Sequence, residues 1–154
     1  MENVRLPIHN KPALVRGMDK KFKTPIDAMD ERQKEWFATA MVSMILADGD
    51  VSQGEVDSLL TSFHVICKPD ASARLKKFLQ FKTMPDLTAF TGWAKNPRAK
   101  ALILIDLMET AISDRDFSAK EREQFYRIGK LLGFPQAQVD QFISLGDKAV
   151  AGMP

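Results

Sequence analysis

Leu46-Ala47-Asp48-Gly49-Asp50-Val51-Ser52-Gln53-Gly54-Glu55-Val56-Asp57 returns later in the chain as Ile112-Ser113-Asp114-Arg115-Asp116-Phe117-Ser118-Ala119-Lys120-Glu121-Arg122-Glu123. At an offset of 66 positions (114 minus 48), both stretches spell Asp-x-Asp-apolar-Ser-x-x-Glu-x-acid. Each follows an apolar run of helical period and precedes an amphipathic one. The repeat extends further, because Pro69 and Ala71 correspond to Pro135 and Ala137 at the same offset. Each half therefore reads helix, acidic turn, helix, proline, helix, and two such halves predict a pseudo-symmetric bundle.

Outward from the two turns, helical periodicity continues. From Asp30, the residues Trp36, Phe37, Ala40, Met41, Met44 and Ile45 share one helical face. Asp30 and Glu31 suit the N-terminus of that helix, where the macrodipole favours negative charge. Asp48-Gly49 closes it, since glycine takes the left-handed conformation of a C-cap. A second helix from Ser52 carries Val56, Leu59, Leu60, Phe63 and Ile66, and Pro69 ends it. Two shorter helices are expected next, one marked by Leu75, Phe78 and Leu79. The other begins near Pro85-Asp86, marked by Leu87, Phe90 and Trp93. Asn96-Pro97 is a stop and restart. The run Ala101 to Ile112 leaves little polar circumference, so its helix should be central and contacted on most sides. Phe125, Ile128, Leu131 and Leu132 mark the next helix, Gly133 its cap, and Pro135 the start of a last one with Val139, Phe142, Ile143 and Val150. No segment alternates with the period of two that marks strands. The expected fold is all-α, a single-domain bundle of about seven helices built from two pseudo-symmetric repeats. Residues 1–25 read as a basic, proline-containing N-terminal arm, and 26–154 as the helical domain.

Bulk properties narrow the function classes. The 154 residues fit one domain with a core that needs no staple. A single cysteine, Cys67, excludes an internal disulfide and suits a reducing compartment. The longest apolar run, Ala101 to Ile105, falls far short of the roughly 20 residues that cross a bilayer. The first residues contain no apolar h-region of a signal peptide, so the expected location is the cytoplasm. The net charge of +2 is distributed unevenly: +4 over residues 1–25, −6 over 26–67, +6 over 68–100 and −2 over 101–154. So small a total argues against a dedicated nucleic-acid binder.

The turns resemble a known family. An apolar helix ending in Ala47-Asp48-Gly49, then Val51-Ser52-x-x-Glu55, echoed by Ser113-Asp114 and Phe117-Ser118-x-x-Glu121, resembles the TerB-like tellurite-resistance fold. The same fold occurs in the N-terminal domain of DjlA-type membrane co-chaperones. Ile128-Gly129-Lys130-Leu131-Leu132-Gly133-Phe134 is similar to the family's closing helix, and the resemblance covers roughly residues 30 to 148. It implies an all-helical stress-response protein with no established reaction. Such a protein binds metal ions and assembles with protein partners, in a membrane-associated complex near the inner membrane. The family's acidic positions fall on Asp48, Asp50 and Glu55, then on Asp114, Asp116 and Glu121. The second turn departs from the pattern, with Arg115 where the first has Gly49.

Two accounts of these six carboxylates compete. Ser52-x-x-Glu55 and Ser118-x-x-Glu121 are capping boxes, with Val51 and Phe117 at the staple position before each, and caps alone explain the serine and glutamate. Asp48 and Asp50 exceed what a cap uses, however, and the preceding helix aims its last carbonyls at the same turn. Carboxylates plus carbonyls make an all-oxygen site suited to Ca²⁺, Mg²⁺ or Mn²⁺ and not to Zn²⁺. An EF-hand is excluded: counted from Asp48 or Asp114, the loop lacks the required glycine (Gln53, Ala119) and closing glutamate (Leu59, Phe125).

Other candidates carry less. His64 and Cys67, three apart, lack the second Cys/His pair of a soft-metal site, and Cys67 reads as a buried small residue. Asp106 and Glu109 either extend the acidic surface or mark the wet edge of the apolar helix. Arg74, Lys76, Lys77 and Lys82, interleaved with Phe78 and Phe81, form a solvated basic face or one that meets phosphate or an acidic partner. No nucleophile elbow, phosphate loop, zinc-protease or dinucleotide motif occurs. The expectation is a non-enzymatic protein that binds a divalent cation weakly at its acidic turns and acts through partners. The alternative is an adaptor whose turns are caps only.

Overall fold

The computed structural model describes residues 23–24, 26–49, 53–88, 96–112 and 116–153. Among them lie a 3-10 turn at Ile26–Ala28 and six α-helices, with no strand. The helices are α1 (Glu31–Asp48), α2 (Gln53–Ile66), α3 (Pro69–Phe81), α4 (Pro97–Ala111), α5 (Ala119–Leu131) and α6 (Gln136–Ala151). The offset of the repeat carries α1 onto α4, α2 onto α5 and α3 onto α6. Within each half all three helices touch one another, and the halves join where α1 packs on α4 and α5. The duplicated organisation read from the turns is therefore the organisation of the bundle.

Each helix starts where its chemistry allows. Asp30 caps α1 through its Oδ1, which accepts from Gln33 N at 2.9 Å, while Gln33 Oε1 accepts from Asp30 N at 2.9 Å. That reciprocal box goes beyond the macrodipole argument made from sequence. At the equivalent position Asn96 accepts from Arg98 N, with Pro97 behind it in the first turn of α4. The ends are equally local. At the end of α5, Gly133 N donates to Lys130 O and Phe134 N to Gly129 O, with Gly133 at φ +88°. This is a Schellman closure, and the left-handed residue in it favours glycine. α3 closes in the same way, Lys82 N to Leu79 O and Thr83 N to Phe78 O, but there the left-handed residue is a lysine at φ +52°.

The core runs through α1. Trp36, Phe37, Ala38, Ala40, Met41, Val42, Ser43 and Met44 are all buried, so this helix is enclosed nearly all round by α2, α3, α4 and α5. Phe63, Leu59, Leu75, Ile103, Leu107, Phe125 and Ile128 complete it. α4, expected to be the central helix, shares that place: Ala101, Leu102 and Ile105 remain half-buried. Buried polar side chains are tied across elements, as where Gln124 Nε2 on α5 donates to Ser43 Oγ on α1 at 3.1 Å. The α1–α3 contact carries a forked pair, Arg74 to both oxygens of Glu35 at 2.8 Å. Residues 85–88 are not helical, and residues 89–95, where the body of the helix expected from Pro85-Asp86 would fall, lie outside the described residues. Asp86 Oδ1 instead accepts from Thr88 N and Thr88 Oγ1, and Trp36 Nε1 donates to Leu87 O at 3.2 Å. The Asp86–Thr88 bonds close a local turn, and Pro85 and Leu87 are buried. Phe90 and Trp93 of that expected helix lie outside the described residues, as does the arm except Lys23 and Thr24.

Candidate functional site

Three of the six family-position carboxylates belong wholly to the described residues: Asp48, Asp116 and Glu121. Asp50 and Asp114 lie outside them, as does the side chain of Glu55.

At the second corner the acids are engaged with main chain. Ser118 Oγ accepts from Glu121 N at 3.1 Å, and Glu121 Oε1 accepts from Ser118 N at 2.8 Å, a completed capping box with Glu121 buried. Asp116 Oδ1 accepts from Phe117 N at 2.9 Å. Phe117 sits at the staple position, buried, edge-on to Phe125 with ring centroids 6.4 Å apart. The staple's partner at the fourth helical position is Arg122, whose guanidinium lies 4.7 Å from the Phe117 ring centre. Arg122 also donates to Phe117 O and forks onto Asp147 of α6. A cation is therefore built into this corner by the protein itself, close enough to Asp116 to feel its charge.

The first corner is different. Asp48 is the last residue of α1 and half-buried; Gly49 follows at φ +80°, its N–H donating to Leu46 O at 3.0 Å. Among the described residues the Asp48 carboxylate has no hydrogen-bond or ion-pair partner. It stands at the C-terminal end of a helix, where the partial negative charge of the last carbonyls adds to its own. The donor chemistry at this end, carboxylate plus carbonyl, fits a hard cation. At the second corner the engaged Glu121 and resident Arg122 fit one poorly. Among the described residues no three His, Cys, Asp or Glu side chains group so as to hold a metal ion.

Asp106 is the carboxylate that sequence reasoning placed wrongly. It is no wet edge: at 2% exposure it is the most buried acid of the described chain. Its Oδ1 accepts from Lys23 N at 2.9 Å, and its Oδ2 accepts from Thr24 N at 2.8 Å and from the Thr24 hydroxyl. Glu109, one turn on and exposed, pairs with Lys23 Nζ at 3.2 Å. Burial pushes the Asp106 carboxyl above the usual carboxylate range, and the three donors pull against that shift. The signal in the sequence was a carboxylate set between apolar neighbours; its partners lie more than eighty residues away and left no local mark.

His64 and Cys67 are not brought to one site. His64 is exposed, whereas Cys67 is buried with its Sγ 3.8 Å from Lys34 O. Burial, reinforced by Glu35 and Glu31, pushes the Cys67 thiol up to about 12, so it stays protonated and unreactive. No described helix is long and apolar enough to cross a membrane.

Compared with known proteins, the chain matches the family profile described as "Tellurite resistance protein TerB" over residues 34–143. That span runs from the first turn of α1 to the middle of α6 and includes both corners. No curated protein and no solved structure is significantly similar to the chain.

Proposed function

The chain belongs to the TerB tellurite-resistance family, and from that premise we propose that it acts without catalysis, as a stress-response module whose first corner takes up a divalent cation. Asp48, with Asp50 and Glu55 of the same corner, supplies the carboxylates, and the last carbonyls of α1 complete an oxygen site for Ca²⁺, Mg²⁺ or Mn²⁺. The observation that carries this reading is the contrast between the corners. Asp116 and Glu121 are committed to amides at 2.9 and 2.8 Å, whereas Asp48 has no such partner among the described residues. On this reading the second corner, with Asp114, Asp116 and Glu121, is a cap that fixes α5. The cation acts by stiffening the α1–α2 junction, through which a protein partner would sense it. A protonated, buried Cys67 and an exposed His64 support a role without covalent chemistry.

Thermal unfolding with Mn²⁺, Ca²⁺ or Mg²⁺ added one at a time tests the proposal. A ligand at one hundred times its Kd stabilises by about 2.7 kcal/mol, a rise of several degrees for a domain of this size. Asp48→Asn with Asp50→Asn should abolish the rise, and Asp116→Asn should leave it intact. If no cation raises the midpoint, or the double variant still responds, the first corner is no cation site. An adaptor with two structural caps is then the reading that stands, and the completed Ser118–Glu121 box already favours it at the second corner.

A further inference from the structure

The described surface carries three large apolar side chains in the open, and two of them lie three residues apart at the end of α3: Phe81, 74% exposed, and Met84, 43% exposed. α3 buries Ala71, Ser72, Leu75 and Leu79, a stripe that turns its opposite side outward. Lys77 lies one turn before Phe81 on that outward side, Lys76 beside it, and Lys82 directly after it, all exposed. None of the three lysines has an ion-pair partner among the described residues. The arginine of the helix, Arg74, is already forked onto Glu35 and is not part of the free charge. Lys82 takes a left-handed turn after the helix, Met84 lies exposed three residues past Phe81, and Pro85 and Leu87 are buried.

We propose that this end of α3 is a docking face for an anionic lipid bilayer, with Phe81 and Met84 entering the interface while Lys76, Lys77 and Lys82 lie among the phosphates. Charge complementarity selects the occupant. The free cations are all lysines, compact and strongly hydrated, which answer a diffuse negative field and not the planar fork of a carboxylate. The segment that holds them carries +6 while the preceding one carries −6. A negative plane attracts so basic a stretch. An aromatic ring that projects beside flexible lysine stems, able to keep their heads in water, is the composition of an interfacial anchor. This inference is independent of the cation corner, which lies at the junction of α1 and α2.

Flotation of the full chain with phosphatidylcholine vesicles, and with vesicles containing about one-third phosphatidylglycerol, tests it. Binding is expected to the anionic vesicles only, and to weaken as salt is raised. Each Lys→Ala change at 76, 77 or 82 should lower the partition coefficient about five-fold. Phe81→Ala should lower it about ten-fold by removing apolar surface from the interface. These side chains are exposed, so far-UV circular dichroism and the melting midpoint should stay unchanged and exclude misfolding as the cause. Failure of the unaltered chain to float with anionic vesicles overturns the proposal. Lysine-dependent binding indifferent to Phe81→Ala and Met84→Ala overturns it too, and would assign the face to a soluble polyanion such as an acidic peptide.

Discussion

Replacing Asp106 with asparagine removes one charge and changes no shape, which makes it the sharpest probe of how the N-terminal segment is held. Three donors converge on two oxygens: Lys23 N on Oδ1, and Thr24 N with the Thr24 hydroxyl on Oδ2. An asparagine amide must put its NH₂ at one of these positions. The less damaging choice keeps the oxygen beneath Thr24 and sets the NH₂ against Lys23 N, donor facing donor. One hydrogen bond to a charged acceptor, about 1.5–3 kcal/mol, is lost, and Lys23 N recovers part of it from water because it is only part-buried. Removing a buried charge returns some of the loss. The net expectation is about 1–2 kcal/mol at neutral pH, whereas Asp106→Ala, which strands Thr24 as well, should cost about 3 kcal/mol. Urea unfolding with unchanged slope measures both, and the amide resonances of Lys23 and Thr24 should shift upfield as their charged acceptor goes. The pH dependence has a definite sign. The folded carboxyl is raised above its ordinary value, so its stabilising contribution is full below the usual carboxylate range, near 4, and is lost as pH rises through the folded value. The gap between wild type and Asp106→Asn should therefore widen on acidification from neutrality. A gap that narrows would mean the three hydrogen bonds outweigh burial, and a neutral substitution with unmoved amides would refute the anchoring altogether.

Other substitutions read single features. Ser118→Ala should cost about 1 kcal/mol in denaturant unfolding, and Glu121→Ala about 1–3 kcal/mol, because it also strands the Ser118 amide beside a buried site. Lys82→Gly should stabilise by about 1 kcal/mol, because the left-handed conformation penalises any side chain; a loss of stability would show that the lysine makes compensating contacts. Ser72 Oγ is buried and finds no hydrogen-bond partner among the described residues, so Ser72→Ala should be neutral or stabilising by up to about 1 kcal/mol, read as the urea midpoint. With its thiol pushed up to about 12, Cys67 should resist alkylation at pH 8 until the protein unfolds, and iodoacetamide labelling should follow the unfolded fraction.

Features that depend on near neighbours were legible in the sequence. The periodic faces placed all six helices, and the glycine and proline punctuation placed Gly49, Gly133, Pro97 and the Pro135 boundary, because capping is settled within a single turn. Errors arose where a distant partner decides. The tie from the Trp36 indole to the Leu87 carbonyl, fifty-one residues away, left no local mark. Asp106 has the look of a solvated edge until the main chain of residues 23 and 24 folds over it. Lys82 closes α3 in a glycine conformation without being glycine, so the residue type that marks Gly49 and Gly133 is missing there.

The two corners show how one duplicated phrase comes to do unlike work. Both place a serine and a glutamate three apart, and at the second this is enough to see them spent on each other. What separates the corners is their surroundings. After the second, α5 begins with an arginine at its fourth position, and that residue stacks on the Phe117 staple and reaches Asp147 across the half. At the first, the equivalent residue is Val56, buried and apolar, so no cation of the protein's own is supplied there. Replacing Arg122 by a small apolar residue should therefore cost stability through the lost fork and stacking, and at the same time make the second corner more receptive to a divalent ion. Should added Mn²⁺ stabilise Arg122→Val no more than the unaltered chain, the difference between the corners lies in their carboxylates and not in the resident guanidinium.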